Sequence, residues 1–80
     1  MPRNRLKLLR KECGLTQVDI SKKLKVSRNG YQHWEAGTRT ITAENLILLA
    51  DFFNVNIDYI LYRTDIKTPL KKSENPREEY

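Results

Sequence analysis

TQVDISKKLKVSRNGYQHWEAG, residues 16–37, decides how the rest of the chain is read. Thr16 is a good N-cap, because its hydroxyl accepts a backbone N–H that a helix start leaves unpaired. Asp19, three positions on, is a short version of the capping-box acid. Ile20 and Leu24 give the helix that follows one buried face, and Ser21 between them lets another helix approach closely. Only Lys25, Val26 and Ser27 separate this helix from the next, which Ser27 caps and which runs to about Ala36. Val26, Tyr31 and Trp34 turn inward, while Arg28, Asn29, Gln32 and His33 form two i, i+4 pairs on the outward face. Gly37 ends the second helix.

The flanks extend the same pattern. Before it, Leu6, Leu9 and Cys13 fall at i, i+3 and i+7, which predicts a helix over Arg5–Cys13 with all three facing inward. Gly14 permits a left-handed end to that helix. After it, Thr38-Arg39-Thr40 is a polar linker, and Thr42 caps a helix whose apolar stripe is Leu46, Leu49, Ala50 and Phe53. Asn56 caps a fifth helix, with Ile57, Ile60 and Leu61 returning to the core and Asp58 well placed in the first turn. The expected fold is all-α, five helices over residues 1–65, with no alternation that would make a strand. Residues 66–80 are rich in Lys, Glu, Asn and Pro, and Pro69 and Pro76 limit any helix there. They are expected to be a mobile or locally ordered charged tail.

Eighty residues allow one domain with little core to spare. The single cysteine excludes an intrachain disulfide, and no apolar run is long enough to span a membrane or act as a signal peptide, so a cytoplasmic protein is expected. The net charge of +5 is unevenly placed: residues 1–39 carry 10 Lys and Arg against three acids, and residues 40–65 carry one Arg against four. A basic half backed by an acidic one suits a nucleic-acid face, although many small proteins are basic for no such reason.

Two short helices three or four residues apart have the spacing of a helix-turn-helix, whose second helix enters the DNA major groove. There each base pair shows a distinct set of donors and acceptors, and forked polar side chains are needed to read them. Arg28 suits guanine O6 and N7, and Asn29 or Gln32 suits adenine N6 and N7. His33 completes the same face. The plain alternative is that these four form only a solvated surface. No arrangement of His, Cys and carboxylates resembles a catalytic or metal site. No glycine run suits a phosphate loop, and nothing points to a cofactor or small-molecule ligand. Cys13 reads as core filling.

From Asn4 to Leu61 the chain also resembles the Cro/CI-type helix-turn-helix regulators, the xenobiotic-response-element group. The resemblance rests on residues 8–17 (LLRKECGLTQ), 24–28 (LKVSR), 34–39 (WEAGTR) and 50–61 (ADFFNVNIDYIL), the last followed by Arg63-Thr64-Asp65 as in repressors of Firmicutes and their mobile elements. It implies a lambda-repressor-like fold and binding to double-stranded DNA. It further implies that Arg28, Asn29 and His33 reach base edges, with Gln32 beside them. Gln17, Arg10 and Arg39 would contact phosphates, and Glu35 would pair within the protein, with Arg10 as a partner. Ala36 stands where the family often has a phosphate-binding Asn, Lys25 where the turn usually has Gly, and Gly30 where the helix usually has Ser, Thr or Ala. Tyr62 replaces the usual terminal Gly, which suggests that the fifth helix runs on toward Thr64.

One recognition helix covers only four or five base pairs, so a homodimer on a palindromic operator is expected. Tyr59, Tyr62, Ile66 and Leu70 are its candidate contacts. Repression by operator occupancy is the leading reading. The main alternative is an antitoxin-type module that holds a toxin through the tail and autoregulates its operon, and a fold that has lost DNA binding is a third.

Overall fold

The computed structural model describes residues 3–69. They form α1 (Leu6–Glu12), α2 (Gln17–Leu24), α3 (Arg28–Ala36), α4 (Ala43–Phe53) and α5 (Ile57–Ile60), with no strand among the described residues. Four of the five helix starts are closed by the side chain that the sequence offers. Thr16 Oγ1 accepts the Asp19 N–H at 3.0 Å while Asp19 Oδ2 accepts the Thr16 N–H at 3.1 Å, a complete capping box. Ser27, Thr42 and Asn56 accept from Gly30, Asn45 and Tyr59 at 3.0, 3.2 and 2.7 Å. Each such cap is worth about 1 kcal/mol.

The turns between helices are left-handed. Lys25 takes φ +61°, where the Cβ of a non-glycine residue costs about 1–2 kcal/mol. Its reward is local, because the Val26 N–H can then close on Ser21 O at 3.0 Å and only three residues separate α2 from α3. Gly37 and Asn54 end α3 and α4 in the same way. At Gly37 a side chain would be strained and crowded: φ is +75° and an added Cβ would lie 2.5 Å from Arg3 Cδ, so Arg3 would have to move.

The core joins all five helices. Leu6, Ile20, Tyr31, Leu49 and Ile60, one from each, are fully buried, and Leu9, Leu24, Trp34, Ala50, Phe53 and Val55 complete the cluster. Burying a large apolar side chain contributes roughly 1.5–3 kcal/mol, so these residues carry most of the drive to fold. The helices pack α2 on α3, α1 on α3 and α4 on α5. The result is the all-α, lambda-repressor-like arrangement expected, with α2 and α3 as its helix-turn-helix.

The two ends of the domain are tied by residues the sequence did not mark. Asn4 is buried, accepts the Leu6 N–H through Oδ1 at 3.0 Å and donates from Nδ2 to Trp34 O at 2.8 Å. It therefore starts α1 and anchors it to α3. The Arg5 guanidinium donates to Tyr59 O and Thr64 O, both at 2.7 Å, and to Asp65 Oδ1 at 2.7 Å. The rings of Tyr59 and Tyr62 lie 4.0 and 4.3 Å from its central carbon.

Two expectations change. Cys13 is exposed, not core: α1 ends at Glu12, so the seven-residue spacing from Leu6 no longer points inward. The fifth helix does not run on, because Tyr62 itself adopts the left-handed conformation, φ +64°, that Gly takes elsewhere. At Gly30 an added Cβ would lie 2.9 Å from Ser27 Oγ, the cap of its own helix. The start of the charged segment is held, since Asn56 Nδ2 donates to Ile66 O and Thr68 O at 2.8 Å and Lys67 pairs with Glu12 at 3.5 Å. Residues 70–80, expected to be mobile, lie outside the described residues.

Candidate nucleic-acid interface

The Lys25 turn brings the first residues of α2 and α3 to one place. Gln17 and Arg28 line the same open depression, about 670 Å³, with Lys11 and Thr16 among its other walls. Beyond it Arg28, Asn29, Gln32 and His33 are all exposed on the outer side of α3, while Tyr31 and Trp34 hold the inner side in the core. The face is thus rigidly backed and polar. Arg39, also exposed, returns over the first turn of this helix: its Nη1 lies 4.0 Å from where a Cβ on Gly30 would stand. All seven residues singled out by sequence therefore flank or occupy one surface, since Arg10 also lines the depression.

Arg10 differs from the others in how firmly it is held. Its side chain is only 9% exposed and every nitrogen is engaged: Nε and Nη2 donate to the Glu35 carboxylate at 2.5 and 3.3 Å, and Nη1 donates to Leu15 O at 2.8 Å. Three of its five N–H donors are so committed, which gives Arg10 an internal role. The pairing of Glu35 with Arg10 is as expected. Burial acts to raise the Glu35 carboxyl, but hydrogen bonding, first from Arg10, outweighs it and leaves the group below the usual carboxylate range. Glu35 Oε1 also accepts from Gln17 Nε2 at 3.1 Å, so the pair sets the direction of a residue at the depression. The Tyr31 hydroxyl is buried near enough to feel the same carboxylate, yet it makes no hydrogen bond of good geometry.

One residue on this surface was missed. The end of α3 is a Schellman closure, with Gly37 N–H on Trp34 O at 3.2 Å and Thr38 N–H on His33 O at 3.1 Å. The closure sets Thr38 beside His33, and Thr38 Oγ1 lies 2.7 Å from His33 Nδ1. The signal was present, since a terminal Gly places the residue after it against the helix residue four before, but the sequence reading treated Thr38 as linker.

No group of three His, Cys, Asp or Glu that could hold a metal occurs among the described residues, and no described helix is long and apolar enough to cross a membrane. What the surface offers is a set of exposed donors and acceptors beside exposed cations, chemistry suited to a polyanion.

Comparison with known proteins agrees. The helix-turn-helix family profile matches residues 6–60. The chain is 32% identical over 74 residues to YobD, an HTH-type transcriptional regulator of Bacillus subtilis, covering 92% of this chain and 66% of that one. It is 31% identical over 70 residues to the B. subtilis regulator ImmR (88% and 53%). It is 35% identical over 71 residues to BcrR, an HTH-type transcriptional activator of Enterococcus faecalis (89% and 34%). The chain thus spans between a third and two thirds of the length of these relatives.

Proposed function

This chain belongs to the helix-turn-helix family of DNA-binding transcriptional regulators, and from that premise we propose that it represses transcription by occupying a palindromic operator as a dimer. The observation that carries the reading is the shared depression. Gln17 and Arg28 stand together at the N-terminal ends of α2 and α3, where a DNA backbone meets the major groove. Arg28, Asn29, Gln32 and His33 read bases. Gln17 and Arg39 bind phosphates on either side, and Arg10 acts behind them through Glu35. Occupying a promoter blocks polymerase with no further chemistry, and such a target places the protein in the cytoplasm.

A dimer needs a self-contact. Tyr59, one of the expected residues, is half-buried under Arg5, and Leu70 lies outside the described residues. Tyr62 and Ile66 are exposed, and α4 adds a second apolar surface that the sequence reading passed over, Ile47, Leu48 and Phe52. These five side chains offer a few hundred Å², against the roughly 800 Å² per partner of a stable complex. The dimer therefore forms on DNA, which holds two subunits about 34 Å apart.

The test is a titration of wild type, Arg28→Ala and Arg39→Ala against a duplex selected from a random pool and a scrambled control, at several salt concentrations. Base and phosphate contacts fail differently. Arg28→Ala should cost about 1–3 kcal/mol on the selected duplex and much less on the control. Arg39→Ala should weaken both alike and lower the salt slope by about 0.9. If no duplex from the pool binds better than scrambled DNA, the reading is wrong.

A further inference from the structure

The contact between His33 and Thr38 determines what His33 can read. A neutral imidazole has one nitrogen that donates and one that accepts, and the hydrogen bond at one nitrogen fixes the character of the other. Two arrangements suit the 2.7 Å contact. In the first, the Thr38 hydroxyl donates to Nδ1, so the ring proton sits on Nε2, across the ring. In the second, Nδ1–H donates to Thr38 Oγ1, and Nε2 presents a bare lone pair.

The hydroxyl hydrogen separates them. The 2.7 Å contact itself falls within the range of N–H···O bonds as well as that of bonds in which a hydroxyl donates. In the second arrangement, with solvent as the alternative, the acceptor left for the hydroxyl hydrogen among the described residues is His33 O. That oxygen is 3.5 Å from Thr38 Oγ1 and already accepts the Thr38 N–H at 3.1 Å. The first arrangement gives the hydroxyl the better protein acceptor. When the ring is protonated, Nε2–H is a donor as well. The Schellman closure holds Thr38 in place for either state; a polar pair here takes the position of the apolar contact that often seals such an end.

We infer that Thr38 is a specificity-determining residue: its hydroxyl fixes His33 with Nε2–H outward, making His33 a donor that selects a base with an acceptor on its major-groove edge and rejects cytosine. The inference rests on α3 being the reading helix. Guanine offers O6 and N7, adenine N7 and thymine O4, whereas cytosine presents its amino group, a donor against a donor. Thr38 touches no base and acts through the imidazole, so it is a positioning residue.

The test has two arms. In the free protein, the nitrogen-15 shifts of the neutral His33 ring report its tautomer directly. The proton should sit on Nε2 in wild type and in Thr38→Ser, and a mixture should appear in Thr38→Val, which keeps the shape and loses the hydroxyl. On DNA, random-pool selection with wild type should show one position depleted in cytosine. Its identification is complete when His33→Ala removes that depletion. Thr38→Val should weaken it by ~2- to 10-fold, the range of one modest hydrogen bond, and Thr38→Ser should restore it. A wild-type ring protonated on Nδ1 overturns the inference, as does a depletion that Thr38→Val leaves unchanged. If wild type selects no sequence at all, the DNA-reading premise fails, and the donor role of His33 fails with it, whatever the tautomer.

Discussion

Replacing Arg10 by Met tests the centre of the interface from the inside. The substitution keeps a long side chain but removes a guanidinium that is 9% exposed and spends its donors on Glu35 and Leu15 O, leaving a carboxylate that is 5% exposed without its cation. Breaking a buried pair on one side costs about 3–5 kcal/mol. In a domain of this size each kcal/mol lowers Tm by roughly 4–8 °C, so a fall of at least about 12 °C is expected in a circular-dichroism melt. The pH dependence gives the sharper signature. In wild type the Glu35 carboxyl is held low, so its contribution is full above the unfolded carboxylate range and disappears as pH falls through the folded value. In Arg10→Met, only the nearby Tyr31 hydroxyl and the hydrogen bond from Gln17 are left against burial, so the carboxyl rises from its wild-type position and the loss is largest where it is charged and eases in acid. The gap between the two proteins should narrow as pH falls. The double variant Arg10→Met/Glu35→Leu, with no charge left to strand, should recover most of the loss. A single variant within 1 kcal/mol of wild type, or a gap that widens in acid, would refute the account.

Two further outcomes follow from other parts of the molecule. Asn56 has separate duties on its two side-chain atoms, so Asn56→Asp should keep the α5 cap and free residues 66–68, whereas Asn56→Ala should lose both and cost about 1 kcal/mol more; amide exchange at Ile66 and Thr68, compared with stability, separates the effects. Cys13 should react with a thiol reagent in the folded protein as fast as in denaturant, and Cys13→Ser should change stability by less than about 0.5 kcal/mol, results that a buried thiol would not give.

What the sequence made legible was local. Thr16, Ser27, Thr42 and Asn56 announce helix starts because the groups they satisfy lie two or three residues on, and Gly37 announces an end for a similar reason. The outward face of α3 was readable because its inner face is fixed by Tyr31 and Trp34 in the 3.6-residue repeat. What was hidden acts over long separations. Asn4 and Arg5 look like solvent-facing polar residues until their partners, 30 to 60 positions away, are brought to them. Arg10 shows both sides: its pairing with Glu35 was expected, yet the third bond, to Leu15 O, was not. Cys13 and Tyr62 were misjudged at helix ends, where periodicity stops meaning anything once the backbone leaves the helix. The outer face of α4 was overlooked because Leu46, Leu49, Ala50 and Phe53 already account for one buried stripe.

The Arg5 clasp has a kinetic side. Its partners at Tyr59, Thr64 and Asp65 are among the most distant in sequence of any in the domain, while the caps and turns of the helix-turn-helix close within a few residues. Local closures of that kind form without waiting for the ends of the chain, whereas the clasp can form only after everything between has collapsed. A bond made after the folding barrier does not hasten folding; it deepens the well behind the barrier. Arg5 therefore acts as a latch on the unfolding rate, and loosening it would shorten the lifetime of the folded domain while leaving the speed of its assembly almost untouched.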